Sequence, residues 1–292
     1  MFLQQLINGI ALGSTYALVA IGYSMVFGVL RIINFANGAM YMLGAYLVFL
    51  LYGAMGGFLP LAIILSLLAT AVVGFLVDFI GLRKLRKDNA PRMSGLITTM
   101  GISIIIENII RVWIGTETKH FPNFLYFGKF HIGNAIVTST QVFIFLISIF
   151  LMGILSLIVY KTKIGKSMRA VSQNPVAAKL MGINVKLVIS GTFMMGGFLA
   201  AVAGTLISAH YQAVDTLMSS SVGMKTFAAA VLGGVGSLPG AMIGGIFVGV
   251  AESIGASYIS SGYRDGIAFA ILILVLLFKP SGLLGKKVVE KM

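Results

Sequence analysis

The stretch MFLQQLINGIALGSTYALVAIGYSMVFGVL (residues 1–30) contains no charged side chain. A bilayer core about 30 Å thick is crossed by about 20 apolar residues rising 1.5 Å each, so this run is long enough to span. No basic segment precedes it, and it is too long for the apolar core of a cleaved signal, so it is expected to be retained as a first span. Comparable runs follow at 35–54, 60–82, 95–115, 139–160, 187–209, 238–258 and 263–278. The chain is 58% hydrophobic and 10% charged, where soluble domains carry about 25% charge. Too few charges remain to coat a soluble helical globule. The expectation is one all-α membrane domain over residues 1–292.

The net charge of +13 is concentrated in three stretches, 83–92, 161–186 and 279–292. Basic residues accumulate on cytoplasmic loops, so the charge reads as topology rather than as a nucleic-acid footprint. Placing those stretches inside puts the N-terminus outside, the C-terminus in the cytoplasm, Arg31 inside and loop 116–138 outside. An odd number of crossings is then required. The Gly-rich stretch 222–236 is too short for a full crossing, so it completes the count as a broken helix or re-enters. The expectation is about eight full spans plus one irregular element.

Broken helices at membrane depth are tolerated only where they face protein or a water-filled cavity. One candidate is 28–44, where Arg31, Asn34 and Asn37 interrupt apolar sequence; the other is 214–236. Each follows a long span, and the two spans are expected to run oppositely, as in an inverted repeat with the solute path at its interface. Coincidence among Gly-rich segments is the competing reading. Intramembrane charge is costly and often functional. Glu107 and Arg111 lie one turn apart and are expected to pair. Asp78 lies near Arg83 and Lys84. Glu252 has no basic residue within helical reach, so it either pairs with another span or faces the pathway. Arg264 and Asp265 are expected to be solvated at an outer boundary.

RAVSQNPVAAKLMGINV (169–185) lies between two apolar runs. Asn174 suits an N-cap, Pro175 a first helical position and Gly182 the C-cap region. Lys179 complements the negative end of the helix dipole. A helix of about two turns results, too short to be stable without something packed on it.

GKSMRAVSQNPVAAKLMGINV (165–185) resembles the coupling loop, residues 161–186, of permeases of bacterial ABC importers for branched-chain amino acids. The opening NGIALGSTYALVAIGYSMVFGVLRIINFANGAMYMLGAY (8–46) and the closing VLGGVGSLPGAMIGGIFVGVAES (231–253) and LLFKPSGLLG (276–285) resemble the same family. Starting without an extended tail, the chain is similar to the shorter, LivH-type member of the permease pair. The resemblance implies a bacterial inner-membrane protein with a second permease subunit, two ATP-binding subunits, an extracytoplasmic solute-binding protein and a small amino-acid substrate. ATP and Mg belong to the partner ATPases, and this chain holds no cofactor. Arg169, Asn174, Pro175, Ala177, Ala178, Leu180, Met181 and Gly182 are the implied ATPase-coupling residues. Many relatives carry an acid just after the Asn-Pro, where this chain has Val176. A zwitterionic solute with an apolar side chain would stall at a strong fixed charge. Asn34, Asn37, Gly38, Ser219, Ser220 and Ser221 are therefore the solute-path candidates, with helix capping as the alternative. Glu107, Arg111 and Glu252 are the intramembrane charges to place.

Other classes lack their signatures. YKTKIGKS (160–167) has Tyr160 where a P-loop needs Gly, and it follows a span rather than a strand. Cysteine is absent, and the histidines are His120, His131 and His210, so no metal site or enzyme is expected. A urea or amide permease is the nearest alternative. A self-contained ion-coupled transporter would use Glu252 or Glu107 but leaves the loop helix unexplained, and a channel lacks a filter.

Overall fold

The computed structural model describes residues 2–87, 91–122, 128–132, 135–279 and 282–285. Parts of the basic stretches 83–92 and 279–292, and the middle of loop 116–138, lie outside the described residues.

The apolar runs form helices α1 (Phe2–Leu30), α2 (Ala36–Ala54) and α3 (Leu59–Leu76). A π-helical turn (Val77–Leu82) continues α3 into α4 (Arg83–Lys87), and α5 (Arg92–Ile114) follows. Next come α6 (Ser139–Lys161), the loop helices α7 (Lys163–Gln173) and α8 (Pro175–Leu180), α9 (Val185–Tyr211), α10 (Met218–Gly233), α11 (Leu238–Tyr258) and α12 (Arg264–Phe278). Two small antiparallel pairs decorate the bundle: β1 (Lys119–His120) with β4 (Ala213–Val214), and β2 (Lys129–Ile132) with β3 (Ala135–Thr138).

Among the described residues, seven helices are long and apolar enough to cross a membrane. The run at 263–278, read from sequence as a full span, is not one of them, because α12 has 15 residues and reaches only about 23 Å. The short element at 222–236 starts earlier than expected, as the 16-residue α10.

α1 is the centre. In its most apolar window 89% of residues are buried, against 17% for the window in α5, whose Ile97, Val112 and Trp113 face outward. A helix this enclosed needs neighbours that come close. α11 does so through small residues: a Cβ added at Gly249 would lie 2.2 Å from the Cα of Gly13, and one at Gly245 would lie 2.4 Å from that of Ala17. Lipid gives helices no hydrophobic drive to associate, so backbone proximity and dispersion supply the cohesion.

The fold contains an inverted repeat. α1 packs on α11 as α9 packs on α3, and α2 packs on α9 as α10 packs on α1. α1 ends, and α9 begins, at one cleft lined by Leu30, Arg31, Val185 and Lys186, so the two helices run in opposite directions. Their exits match in detail. Arg31 (φ 56°) and Gln212 (φ 54°) are the non-glycine residues of positive φ among those described. Three residues beyond each, Asn34 Oδ1 accepts from the Ala36 amide (3.2 Å) and Asp215 Oδ1 from the Leu217 amide (3.0 Å). The residues entering α2 and α10, Phe35 and Leu217, share nearly identical dihedrals, −69°/−14° and −68°/−16°.

Gly249→Leu is expected to force α1 and α11 apart and to cost about 1–3 kcal/mol or more. Gly53→Ala, in open space, should be neutral or slightly stabilising. Unfolding midpoints of the detergent-solubilised variants measure both; equal effects would remove the close-packing argument.

Candidate functional site

The loop helix is stabilised at both ends by local chemistry. Asn174 Oδ1 accepts from the amides of Val176 and Ala177, each at 3.0 Å. At the other end Gly182 (φ 81°) closes a Schellman motif, with the Ile183 amide donating to the Ala178 carbonyl (3.0 Å) and the Gly182 amide to the Lys179 carbonyl (3.1 Å). Pro175 and Ala177 are exposed, as are Val176 (68%), Leu180 (84%) and Met181 (82%).

Ala178, grouped with the coupling contacts on sequence, points the other way. Two residues from both Val176 and Leu180, it lies on the opposite side of the turn. It is 4% exposed and joins the buried cluster of Val171, Ile189 and Phe193. Arg169 is also internal in role, donating to the Val159 carbonyl at the corner between α6 and α7.

At the other candidate site the two breaks meet. A Cβ at Gly38 would lie 2.4 Å from the Ser219 carbonyl and 2.8 Å from the Gly223 Cα. Asn37 Nδ2 donates to the Val19 carbonyl (3.2 Å), and the Tyr23 hydroxyl donates to the Gly223 carbonyl (3.3 Å). Asn34 Nδ2, Asn37 Oδ1 and Ser219 Oγ are buried and make no hydrogen bond to the described protein. Ser220 is turned outward, with its hydroxyl donating to the Leu217 carbonyl, and Ser221 is half-buried. The breaks thus bring Gly38 against Ser219, while the Asn37 side chain lies against Gly22, Val19 and Gly196 and Ser220 is turned away.

A bundle of antiparallel repeats, broken at matching points and carrying a capped, outward-facing loop helix, can be compared with known proteins. Residues 5–276 match the family described as branched-chain amino acid transport system / permease component. The chain belongs to this family. It is 39% identical to the high-affinity branched-chain amino acid transport system permease protein BraD of Pseudomonas aeruginosa, over 99% of this chain and 98% of that protein. It is likewise 39% identical to the LivH permease protein of the same named system in Escherichia coli strain K12, over 99% and 97%. The autoinducer 2 import system permease protein LsrC of Escherichia coli is 25% identical over 89% of this chain and 75% of that protein. No solved structure matches. As a permease component the chain is a multi-pass membrane protein and not itself an enzyme.

The permease's intramembrane charges are paired. Glu107 and Arg111 form an ion pair one turn apart, and Arg111 Nε reaches Thr216 Oγ1 at 3.5 Å. Asp78 pairs not with Arg83 or Lys84 but with Arg86, and accepts from Ser190 Oγ at 2.5 Å. The π-helical turn makes i,i+4 spacing a poor guide there. Glu252 is buried and accepts from the Tyr16 hydroxyl (2.9 Å) and from Lys225 Nζ (3.0 Å). Lys225 also pairs with Asp265 Oδ1 at 2.6 Å, so Asp265 is not merely solvated, although its side chain is 56% exposed.

Lys225 is the residue that sequence reasoning missed. Its signal was a lone Lys in the Gly-rich stretch 222–236, with its partners 27 and 40 positions away. The cluster pins the short α10 to α1, α11 and α12. Among the described residues no group of His, Cys, Asp or Glu could hold a metal.

Lys225→Met should leave Glu252 buried without its cation and cost about 3–5 kcal/mol. Adding Glu252→Gln should recover part of that loss, because a neutral amide is cheaper to bury than an unpaired carboxylate. Thermal unfolding of the two single variants and the double variant measures the coupling.

Proposed function

We propose that the permease forms the membrane-spanning path of an ATP-driven importer that moves leucine, isoleucine and valine. It works with a second permease subunit, two ATP-binding subunits and an extracytoplasmic solute-binding protein. The observation that carries this reading is the loop helix: capped at both ends, anchored by Ala178, and presenting Val176, Leu180 and Met181 to something outside the chain. An apolar face of that kind in a basic loop fits the groove of a separate ATPase. The two relatives that are 39% identical carry branched-chain amino acid transport in their names, which supports the solute. In this reading solute delivered from outside passes the junction of the two breaks. Asn34, Asn37 and Ser219 there retain unused hydrogen-bonding capacity without a fixed charge. Weak neutral contacts suit a transient path.

The orientation proposed places the N-terminus outside and the C-terminus inside, with the basic end at Arg31, Arg83, Lys179 and Lys186 in the cytoplasm. A self-contained ion-coupled transporter needs a titrating acid near the midplane. That reading gives the capped loop helix and its exposed apolar face no role, and Glu252 forms a cluster with Lys225 and Tyr16.

The paired substitution Leu180→Asp and Met181→Asp should abolish co-purification of an ATP-binding subunit and reduce uptake to background, with the unfolding midpoint unchanged. Ala178→Asp should instead destabilise this chain, since it buries a charge among Val171, Ile189 and Phe193. Retained co-purification and uptake in the Leu180/Met181 variant would overturn the coupling role.

Because the natural chain has no cysteine, single Cys substitutions report orientation cleanly. A membrane-impermeant thiol reagent applied from outside should label a Cys at Glu117 and spare one at Lys84. The reverse pattern would invert the topology.

A further inference from the structure

We propose that the cleft between the α3–α4 segment and the start of α9, bordered by the loop helix, is a binding site for an anionic phospholipid. The headgroup phosphate sits among arginines and an acyl chain lies along the wall below. The cleft has a volume of about 1670 Å³, and Arg31, Arg83, Arg86, Lys179 and Lys186 line it without an Asp or Glu among the described lining residues. Of these five cations, only Arg86 has a carboxylate partner among the described residues, and that partner, Asp78, also accepts from Ser190. With Arg86 committed to Asp78, Arg31, Arg83, Lys179 and Lys186 are the rim cations left for an anion, and a guanidinium is matched to phosphate oxygens. Arg31 adds a cation at the C-terminal end of α1, in a left-handed conformation (φ 56°) that its Cβ disfavours.

The walls decide between possible anions. Farther along the spans the lining includes the apolar Phe75 and Met194, beyond Ser190, with Gly191 leaving open space beside them. Phe75 and Met194 belong to spans, and Met194 lies about 13 Å along α9 from the rim residue Val185. A free phosphate would use only the rim, and an acidic protein segment would leave the wall at membrane depth uncovered. A lipid with a charged head and a hydrocarbon tail uses both, as basic pockets between spans on the cytoplasmic side commonly do.

The test uses the full chain in a neutral detergent, with thermal unfolding followed as lipid is added. Phosphatidylglycerol should raise the midpoint by at least about 2 °C, as a ligand bound only by the folded state does, while phosphatidylcholine and inorganic phosphate at equal concentration should not. Two variants attack the two halves separately. Arg31→Gly with Arg83→Gln removes charge while suiting the left-handed backbone at 31, and Gly191→Leu fills the open wall. Each should lose the phosphatidylglycerol response, and a variant that fails to fold leaves the other to decide. An equal response to phosphatidylcholine would mean nonspecific solvation, and an equal response to inorganic phosphate would mean a bare anion site. Either outcome, or a full response in a folded variant, overturns the proposal.

Discussion

The structure depends on how closely α1 and α11 approach at Gly13 and Gly249. Inside a bilayer an apolar surface gains little by leaving lipid for protein, so a central helix is held by dispersion at short range and by the few polar contacts that proximity permits. Backbone-to-backbone contact at these glycines lets α1 be almost wholly enclosed. It also brings Tyr16, one residue before Ala17 in the same seam, within hydrogen-bonding distance of Glu252. Glu252 then receives Lys225 from α10, and Lys225 receives Asp265 from α12. α10 and α12 are shorter than the spans, and this cluster ties both to the central pair. The buried charge thus serves where helix length cannot.

The repeat explains why the chain breaks where it does. At Arg31 and Gln212 a non-glycine residue accepts a left-handed conformation, and an Asn or Asp three residues on turns the chain into the next helix. Neither turn could face lipid, because its unpaired backbone groups would be left without partners. The first is held by Thr99 of α5, which accepts from the Phe35 amide, and the second by β1 and by Thr118, which donates to Asp215. The entry of α2 at Gly38 rests against α10 at Ser219 and Gly223, which places two helix N-termini side by side. Helix starts carry free amides and a partial positive charge. Asn34 and Asn37, buried at the start of α2, add neutral polar groups nearby. In the proposed importer that is what a zwitterionic solute needs in passing.

Much of this was legible in the sequence, because lipid imposes strict local rules. Run length locates the long spans, and the Asn-Pro and Gly signals of the loop helix act within a few residues of themselves, so Asn174 and Gly182 could be read directly. The two breaks were legible for the same reason, as polar residues interrupting apolar sequence. What could not be read depends on through-space geometry. Lys225 finds Glu252 across a helix–helix interface that no periodicity encodes, and Asp265 joins it from a third helix, 40 positions along the chain. Asp78 chose Arg86 over Arg83 and Lys84 because a π-helical turn resets the angular spacing between them. Ala178 failed for a subtler reason. Composition identifies an amphipathic helix, but when both its faces are apolar only the packed chain says which one is already used.

That division of faces constrains how the proposed coupling can work. A helix of six residues could not transmit force if it were held only by its own hydrogen bonds. Here the Schellman turn at Gly182 runs directly into Asn184, whose side chain accepts from the Leu187 amide and starts α9. Ala178 fills the angle between them, against Val171 of α7 and Ile189 of α9. The segment from α7 to α9 is therefore a packed corner rather than a tether, and a displacement of Leu180 and Met181 must be shared with the first turns of α9. The far end of α9 is the Gln212 break that leads into α10 and Ser219. In the proposed coupling, α9 is the continuous element that links this corner to the break at Gln212.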